Sequence, residues 1–279
     1  MVLESFVSYI HAEKRPDEMV IFGFIIATIS ILLALWVFPS YASFAMVTFT
    51  VMASLPLMVH IMQFEKEKQE KAKSWKILTH KKAVLLFLCL FLGFTVAFAL
   101  WFLLLPTGVA NNLFFLQANT ITEINSPSGA AVFINNGFFD IFFNNLRVLA
   151  LSILFSFIFG SGAIFILAWN ASVLGVAMGS AVKMAAAGSS STASYFGAFS
   201  FALVRYLIHG IPEIAAYFLG GLAGGIIAFT VLDYKLGWKK LVEKLPDTLK
   251  DVVMILGIAI ALLLISTTIE IFITPLFIR

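Results

Sequence analysis

The chain has 279 residues, of which 61% are hydrophobic and 12% are charged, whereas a soluble domain is about half apolar and about a quarter charged. This composition excludes an ordinary soluble domain and indicates an all-α integral membrane protein. The net charge of +3 is too small and too scattered to indicate a nucleic-acid partner, and a single cysteine, Cys89, excludes an internal disulfide.

The N-terminal stretch, residues 1–18, reads MVLESFVSYIHAEKRPDE. It lacks the basic start and short apolar core of a cleavable signal peptide. Apolar side chains at Val2, Leu3, Phe6 and Tyr9 would share one side of a helix. We therefore expect a short amphipathic segment on the cytoplasmic membrane surface.

Seven segments approach the length of about 20 apolar residues that a helix needs to cross the hydrocarbon core. Only Pro39 and Ser40 separate the first two, so these form a hairpin. The sequence predicts a polytopic transmembrane helix bundle, with an N-terminal hairpin at 19–62 and a five-span core at 83–279. The predicted spans are Met19–Phe38, Tyr41–Met62, Ala83–Leu105, Phe143–Phe159, Ala163–Lys183, Pro212–Leu232 and Val252–Ile273.

Lysine placement predicts the orientation, because short cytoplasmic loops carry an excess of Lys and Arg. The lysine-rich loop at 63–82 holds seven lysines, and 233–251 holds five. The connection at 106–142 has neither Lys nor Arg, so we expect it outside the cell membrane, with the N-terminus cytoplasmic and the C-terminus extracytoplasmic. This count requires that Tyr195–Ile208 does not cross by itself, and we predict a re-entrant or interfacial half-helix there.

Three ionisable residues interrupt the apolar stretch FALVRYLIHGIPEIAAYF: Arg205, His209 and Glu213. Pro212 predicts a helix start, which places Glu213 in the first turn, where the helix dipole favours a carboxylate. A charge at mid-bilayer costs at least about 2.5 kcal/mol, so such residues usually face the protein interior and pair. We therefore predict a buried polar cluster in which Glu213 pairs with Arg205 or Arg147, beside His209.

Further polar residues are predicted to join this cluster. Asn144, Asn145 and Arg147 begin the fourth span and reach the same leaflet as His209. For Arg147 alone, an interfacial residue that snorkels to the membrane surface is an equal alternative. Asn170, near the inner end of the fifth span, is expected to bond across helices.

Glycines four residues apart occur in GGLAGG and in GVAMG, and such pairs let helix backbones approach closely in lipid. The sequence leaves open whether these faces contact the fifth span or a second protomer, so a homodimer through them is one alternative. The helix-packing residues are Gly175, Gly179, Gly220, Gly221, Gly224 and Gly225.

The motifs NNLRVLALSILFSFIFGSG, WNASVLGVAMG and HGIPEIAAYFLGGLAGGIIA, in this order, resemble the stage II sporulation protein M family of integral membrane proteins. The resemblance covers about Lys82–Arg279 and omits the first hairpin. It implies an N-inside, C-outside core and an unknown membrane or extracytoplasmic protein partner, since the namesake belongs to an assembly that recruits wall-degrading enzymes in endospore-forming bacteria. The matching motif positions are Asn144, Asn145, Asn170, Gly175, His209, Gly210 and Glu213.

Three kinds of function compete. The first is a non-enzymatic scaffold that organises partners through its spans and its aromatic outer connection. The second is a channel or transporter that uses a helix interruption at His209–Pro212, because interrupted helices often form solute sites. An intramembrane enzyme has the least support: metal hydrolysis needs about three protein ligands, and His11, His60 and His80 are predicted on the side opposite His209. We expect a scaffold in contact with membrane lipid, without catalytic residues, cofactor or metal, and a channel or transporter as the alternative.

Overall fold

The computed structural model describes residues 15–71, 81–125, 127–159, 162–188, 192–231 and 237–274. A 3₁₀ turn at Pro39–Tyr41 joins the first two helices, and a π-helix at Ile269–Ile273 continues the last one. No strand occurs within these ranges, so the predicted all-α fold is confirmed. The helices are α1 Glu18–Val37, α2 Ala42–Lys71, α3 Lys81–Leu104, α4 Thr107–Leu113, α5 Phe115–Asn125, α6 Pro127–Phe159, α7 Ala163–Gly188, α8 Thr192–Val231 and α9 Gly237–Thr268.

Seven of the described helices are long and apolar enough to cross a membrane: α1, α2, α3, α6, α7, α8 and α9. The predicted bundle of seven spans is therefore confirmed. Of the predicted amphipathic segment at 1–18, residues 1–14 lie outside the described residues. The predicted lysine-rich loop at 63–82 begins too early, because α2 continues to Lys71; residues 72–80 lie outside the described residues. Which end of the bundle faces the cytoplasm stays a prediction.

Helix α8 is one continuous helix of 40 residues, with Pro212 inside it. The predicted half-helix at Tyr195–Ile208 and the predicted helix start at Pro212 are wrong. Proline removes the backbone hydrogen bond to the carbonyl four residues earlier, that of Ile208, and a membrane helix can tolerate this loss. The next carbonyl, that of His209, accepts from Ser266 Oγ of α9 over 2.8 Å, so α9 contacts α8 in the turn before Pro212.

The N-terminal hairpin packs directly on the third span through two glycines that the sequence analysis did not single out. A Cβ on Gly93 would lie 2.2 Å from the backbone oxygen of Val20, and a Cβ on Gly23 would lie 2.6 Å from that of Leu90. These distances are too short for any other residue. The hairpin is therefore part of the same packed bundle as the core.

The glycines of α8 are covered by helices of the same chain. A Cβ on Gly224 would lie 2.3 Å from the backbone oxygen of Ile153, and one on Gly221 would lie 2.2 Å from Cβ of Ala163. The main partner is thus α6, the fourth span, and only the start of α7 is involved. A homodimer remains a prediction. A dimer contact at these glycines of α8 would require α6 to separate from α8.

Gly175 and Gly179 serve the contact between α7 and α3. Cβ atoms there would lie 2.7 Å from Cβ of Phe98 and 2.5 Å from Cδ1 of Phe102. Gly225, also among the predicted packing residues, is buried in α8. The predicted glycine positions therefore lie inside the bundle, where they set the spacing of the helices that build the site described below.

The connection at 106–142 begins with α4 and α5, which dock on the turn between α1 and α2. Asn112 Nδ2 donates to the backbone oxygen of Pro39 over 2.9 Å. Ser43 Oγ accepts from the backbone N–H of Leu116 over 3.0 Å and donates to Oε1 of Gln117 over 2.9 Å. We call this end of the bundle, formed by Pro39–Tyr41, α4 and α5, the connection end.

Candidate functional site

A cavity of about 380 Å³ lies among helices α3, α5, α7, α8 and α9. Its titratable lining consists of Tyr206, His209 and Glu213 from α8 and Glu270 from the π-helix. Asn170 and Thr274 add further polar groups. The other lining residues are Phe91, Ile121, Val173, Leu174, Ala177, Gly210 and Ile214.

The cavity extends from the connection end into the depth of the bundle. Ile121 of α5 and Thr274, which follows the π-helix, line its outer part. Asn170 lies seven residues after Ala163, where α7 begins at the opposite end, which is about 10 Å along the helix axis. Polar groups therefore reach a depth at which the surrounding spans are otherwise apolar.

A short chain of hydrogen bonds holds Glu213. The hydroxyl of Tyr217, one turn further along α8, donates to Oε1 of Glu213 over 2.8 Å. The same hydroxyl lies 3.2 Å from Oδ1 of Asn145 on α6, and Nδ2 of Asn145 has no hydrogen-bond partner among the described residues. A phenol has one proton, so the hydroxyl donates either to Glu213 or to Oδ1 of Asn145; with the Asn145 amide turned over, Nδ2 would donate to Tyr217 while Tyr217 donates to Glu213. Buried groups of two helices thus orient the carboxyl group.

His209 is held at two points by the last span. Its backbone oxygen accepts from Ser266, and its Nδ1 lies 3.3 Å from the hydroxyl of Thr274. The ring of Tyr206 packs edge-on against the imidazole, with 6.3 Å between the ring centroids. The orientation of the imidazole in the cavity therefore depends on contacts between α8 and the end of α9.

Glu270 brings a second carboxyl group into the cavity. It lies in the π-helix Ile269–Ile273, and π-helical turns are rare and often occur at functional sites. Glu270 and Glu213 are both partly buried, and their charges are close enough to interact. Two acidic side chains in a low-dielectric cavity create a negative potential that favours a cationic ligand.

The structure brings several predicted cluster residues together. His209 and Glu213 line the cavity, and Asn145 is connected to it through Tyr217. Asn170 also lines it, but its Nδ2 donates to the backbone oxygen of Ile166 on its own helix over 2.8 Å. The prediction that Asn170 bonds across helices is therefore wrong, because the preceding turn of α7 offers a nearer acceptor.

Two other predicted members do not join the cluster. Asn144 and Arg147 are exposed, because they lie on the face of α6 that points away from α8, whereas their neighbour Asn145 points towards it. The prediction that they are buried in the cluster, and that Arg147 pairs with Glu213, is wrong.

The predicted ion pair between Arg205 and Glu213 stays a prediction, because the side chain of Arg205 lies outside the described residues. Because α8 is continuous, Arg205 and Glu213 lie on the same helix, and their spacing does not favour an ion pair. Residues eight apart are two turns apart, beyond the three- and four-residue spacings at which side chains on one helix meet.

Tyr217 and Glu270 were not among the site residues predicted from the sequence. Tyr217 follows Glu213 by four residues, which is the spacing of neighbours on one helix face. Glu270 is an acidic residue within a predicted span, which is by itself an indication of a functional site. Both signals were present in the sequence, but only the packing of α8 against α9 places the two carboxyl groups in one cavity.

The family model described as Stage II sporulation protein M matches residues 109–275. This match covers about three fifths of the chain and includes every residue that lines the cavity except Phe91. The chain belongs to the stage II sporulation protein M family. The family assignment made from the motifs is thus confirmed, over a shorter range than expected, since the third span lies outside the match. No curated protein and no solved structure matches this stage II sporulation protein M family member.

Proposed function

We propose that this member of the stage II sporulation protein M family is a channel or transporter that passes a small solute through the cavity, without chemistry on the solute. The observation that carries the proposal is the cavity itself, which holds Glu213, His209 and Glu270 within helices apolar enough to span a membrane. Ionisable groups are costly at such positions, and they commonly mark solute or ion pathways.

One irregular helix segment supports the same function. The π-helix Ile269–Ile273 continues α9, and its Glu270 lines the cavity. Transporters commonly build their solute sites from distorted helices at membrane depth, since the distortion frees backbone groups and allows movement. In the orientation predicted from the lysines, the lining residues Ile121 and Thr274 lie at the end of the cavity nearest the outside of the cell membrane.

The test is flux of inorganic ions and small solutes through the purified protein in liposomes. Glu213→Gln keeps an oxygen that accepts from Tyr217, so the helix packing is retained while the charge is lost. We expect this change to lower flux at least about tenfold, which corresponds to a 1.4 kcal/mol effect. The control is Asp247→Asn, which removes an exposed carboxylate of α9 outside the cavity.

Flux that is equal in the two variants, or absent across a broad panel of solutes, would contradict the proposal. The alternative would then be the scaffold. It is favoured by exposed aromatic rings near the connection end, since Phe115, Phe139 and Phe143 are 56%, 59% and 52% exposed. Such rings can bind a protein partner, although an aromatic belt at the membrane interface has the same composition.

A further inference from the structure

The chemistry of the cavity lining identifies the class of solute. Building on the function proposed above, we propose that the cavity binds a small organic cation, a protonated aliphatic amine, in preference to an inorganic cation. Three properties of the lining favour such a ligand: its charges, the arrangement of its donor atoms and its aromatic side chains.

The charges of the lining are unbalanced. Glu213 and Glu270 contribute two carboxyl groups, and among the side chains that the structure describes, His209 is the one in the lining that can carry a positive charge. The lining residues from α3, α5 and α7 contribute no ionisable side chain. Buried carboxylates are stable when a cation and further hydrogen bonds compensate their lost hydration. A bound ammonium group supplies both, because it carries a positive charge and up to three N–H donors.

The arrangement of donor atoms does not fit a chelated metal ion. Metal sites need several ligand atoms converging on one point, and Ca²⁺ takes six to eight oxygen ligands. Among the residues that the structure describes, no three His, Cys, Asp or Glu side chains lie close enough together to hold a metal ion. Glu213, Glu270 and His209 therefore surround a space larger than a single bare ion fills.

The size and the apolar part of the lining suit an organic ligand. A volume of about 380 Å³ corresponds to roughly a dozen water molecules, which leaves room for an alkyl chain. The rings of Phe91 and Tyr206 line the same space. Aromatic rings attract organic cations through their negative faces, and they also bury the methylene groups that inorganic cations lack.

The experiment measures binding to the full chain in detergent by isothermal titration calorimetry. The probes are 1,4-diaminobutane and butylamine, and the uncharged 1,4-butanediol is the control of matched length. We expect at least one of the two amines to bind, with no heat from the diol, KCl or MgCl₂. Glu213→Gln and Glu270→Gln are each expected to raise the Kd at least about tenfold, and Asp247→Asn is expected to leave it unchanged.

Glu270→Gln separates a loss of binding from a loss of folding. Glu270 takes part in none of the described hydrogen bonds, so its replacement is expected to leave the fold intact. Equal amine affinity in the wild type and in Glu270→Gln would overturn the proposal, as would binding of K⁺ or Mg²⁺ that both carboxyl groups support in place of amine. Carboxylate-dependent amine binding without flux in liposomes would support this inference and contradict the transport function. Flux of an inorganic ion without amine binding would support the transport function and contradict this inference.

Discussion

Glu213 is held within an apolar helix by a neutral neighbour. The sequence suggested an arginine as its partner, but the partner in the described structure is the hydroxyl of Tyr217, itself in contact with Asn145. A hydrogen bond to a charged group contributes about 1.5–3 kcal/mol, and it leaves the carboxyl group available to a ligand from the cavity. An internal ion pair would use that charge up.

Tyr217→Phe tests this network. Loss of the hydroxyl leaves the side chains of Glu213 and Asn145 without their described partner, so we expect stability to fall by about 1–3 kcal/mol. Thermal unfolding in detergent measures the change. Tyr41→Phe, at a ring that is 75% exposed, is the control and is expected to be neutral. Equal melting temperatures for the two variants would show that the network contributes nothing.

At the scale of elements, close helix contacts determine where the site residues meet. The close approach of α6 to α8 at Gly224 brings Asn145 within reach of Tyr217, because a larger residue at this glycine would separate the two helices. The last span contacts α8 in the turn before Pro212, where Ser266 of α9 donates to the backbone oxygen of His209.

Gly224→Ala tests the contact between α6 and α8. The added Cβ would lie 2.3 Å from a backbone oxygen of Ile153, which no side-chain rotation can relieve. We expect a loss of about 1–3 kcal/mol, measured as a lower melting temperature in detergent. The matched control on the same helix is Gly197→Ala, where a Cβ would meet nothing within 4 Å.

An alanine at Gly197 is expected to be neutral or to stabilise the helix by about 0.5–1 kcal/mol, since alanine restricts the unfolded chain. If Gly224→Ala were equally harmless, α6 would not be held against α8 by this glycine. The position of Asn145 beside Tyr217 would then need another explanation.

At the scale of the whole molecule, the cavity lies nearer to one end of the bundle than to the other. Its lining includes a residue of α5, and α4 and α5 pack at the connection end. The orientation in the membrane therefore decides from which side a solute enters. Lysine placement predicts that the connection end faces outwards.

Cysteine labelling tests this orientation. In a Cys89→Ala background, Thr107→Cys places a thiol at the connection end, and Asp247→Cys places one at the start of the last span; both positions are exposed. With a membrane-impermeant maleimide, we expect Thr107→Cys to react in intact cells and Asp247→Cys to react only after permeabilisation. The opposite pattern would invert the topology, and the background protein alone should remain unlabelled.

The sequence by itself determined the class of protein, the seven spans, the tight first hairpin and the family. These properties depend on local composition, on segment length and on short motifs. They can be predicted without a structure because burying polar groups in lipid is costly, so that spans must be long and apolar. Glu213 and His209 were also found in this way, because ionisable residues stand out in an apolar run.

Only the tertiary structure decided which residues meet. The contact of Ser266 with His209 and that of Tyr217 with Asn145 join positions 57 and 72 residues apart, and no local pattern fixes such pairs. The sequence predicted a helix start at Pro212, but α8 continues through this residue, packed against the other helices of the bundle. The burial of Asn145 and the exposure of Arg147 depend likewise on the face of α6 that packs against α8, and packing between helices rather than hydrophobicity sets that rotation.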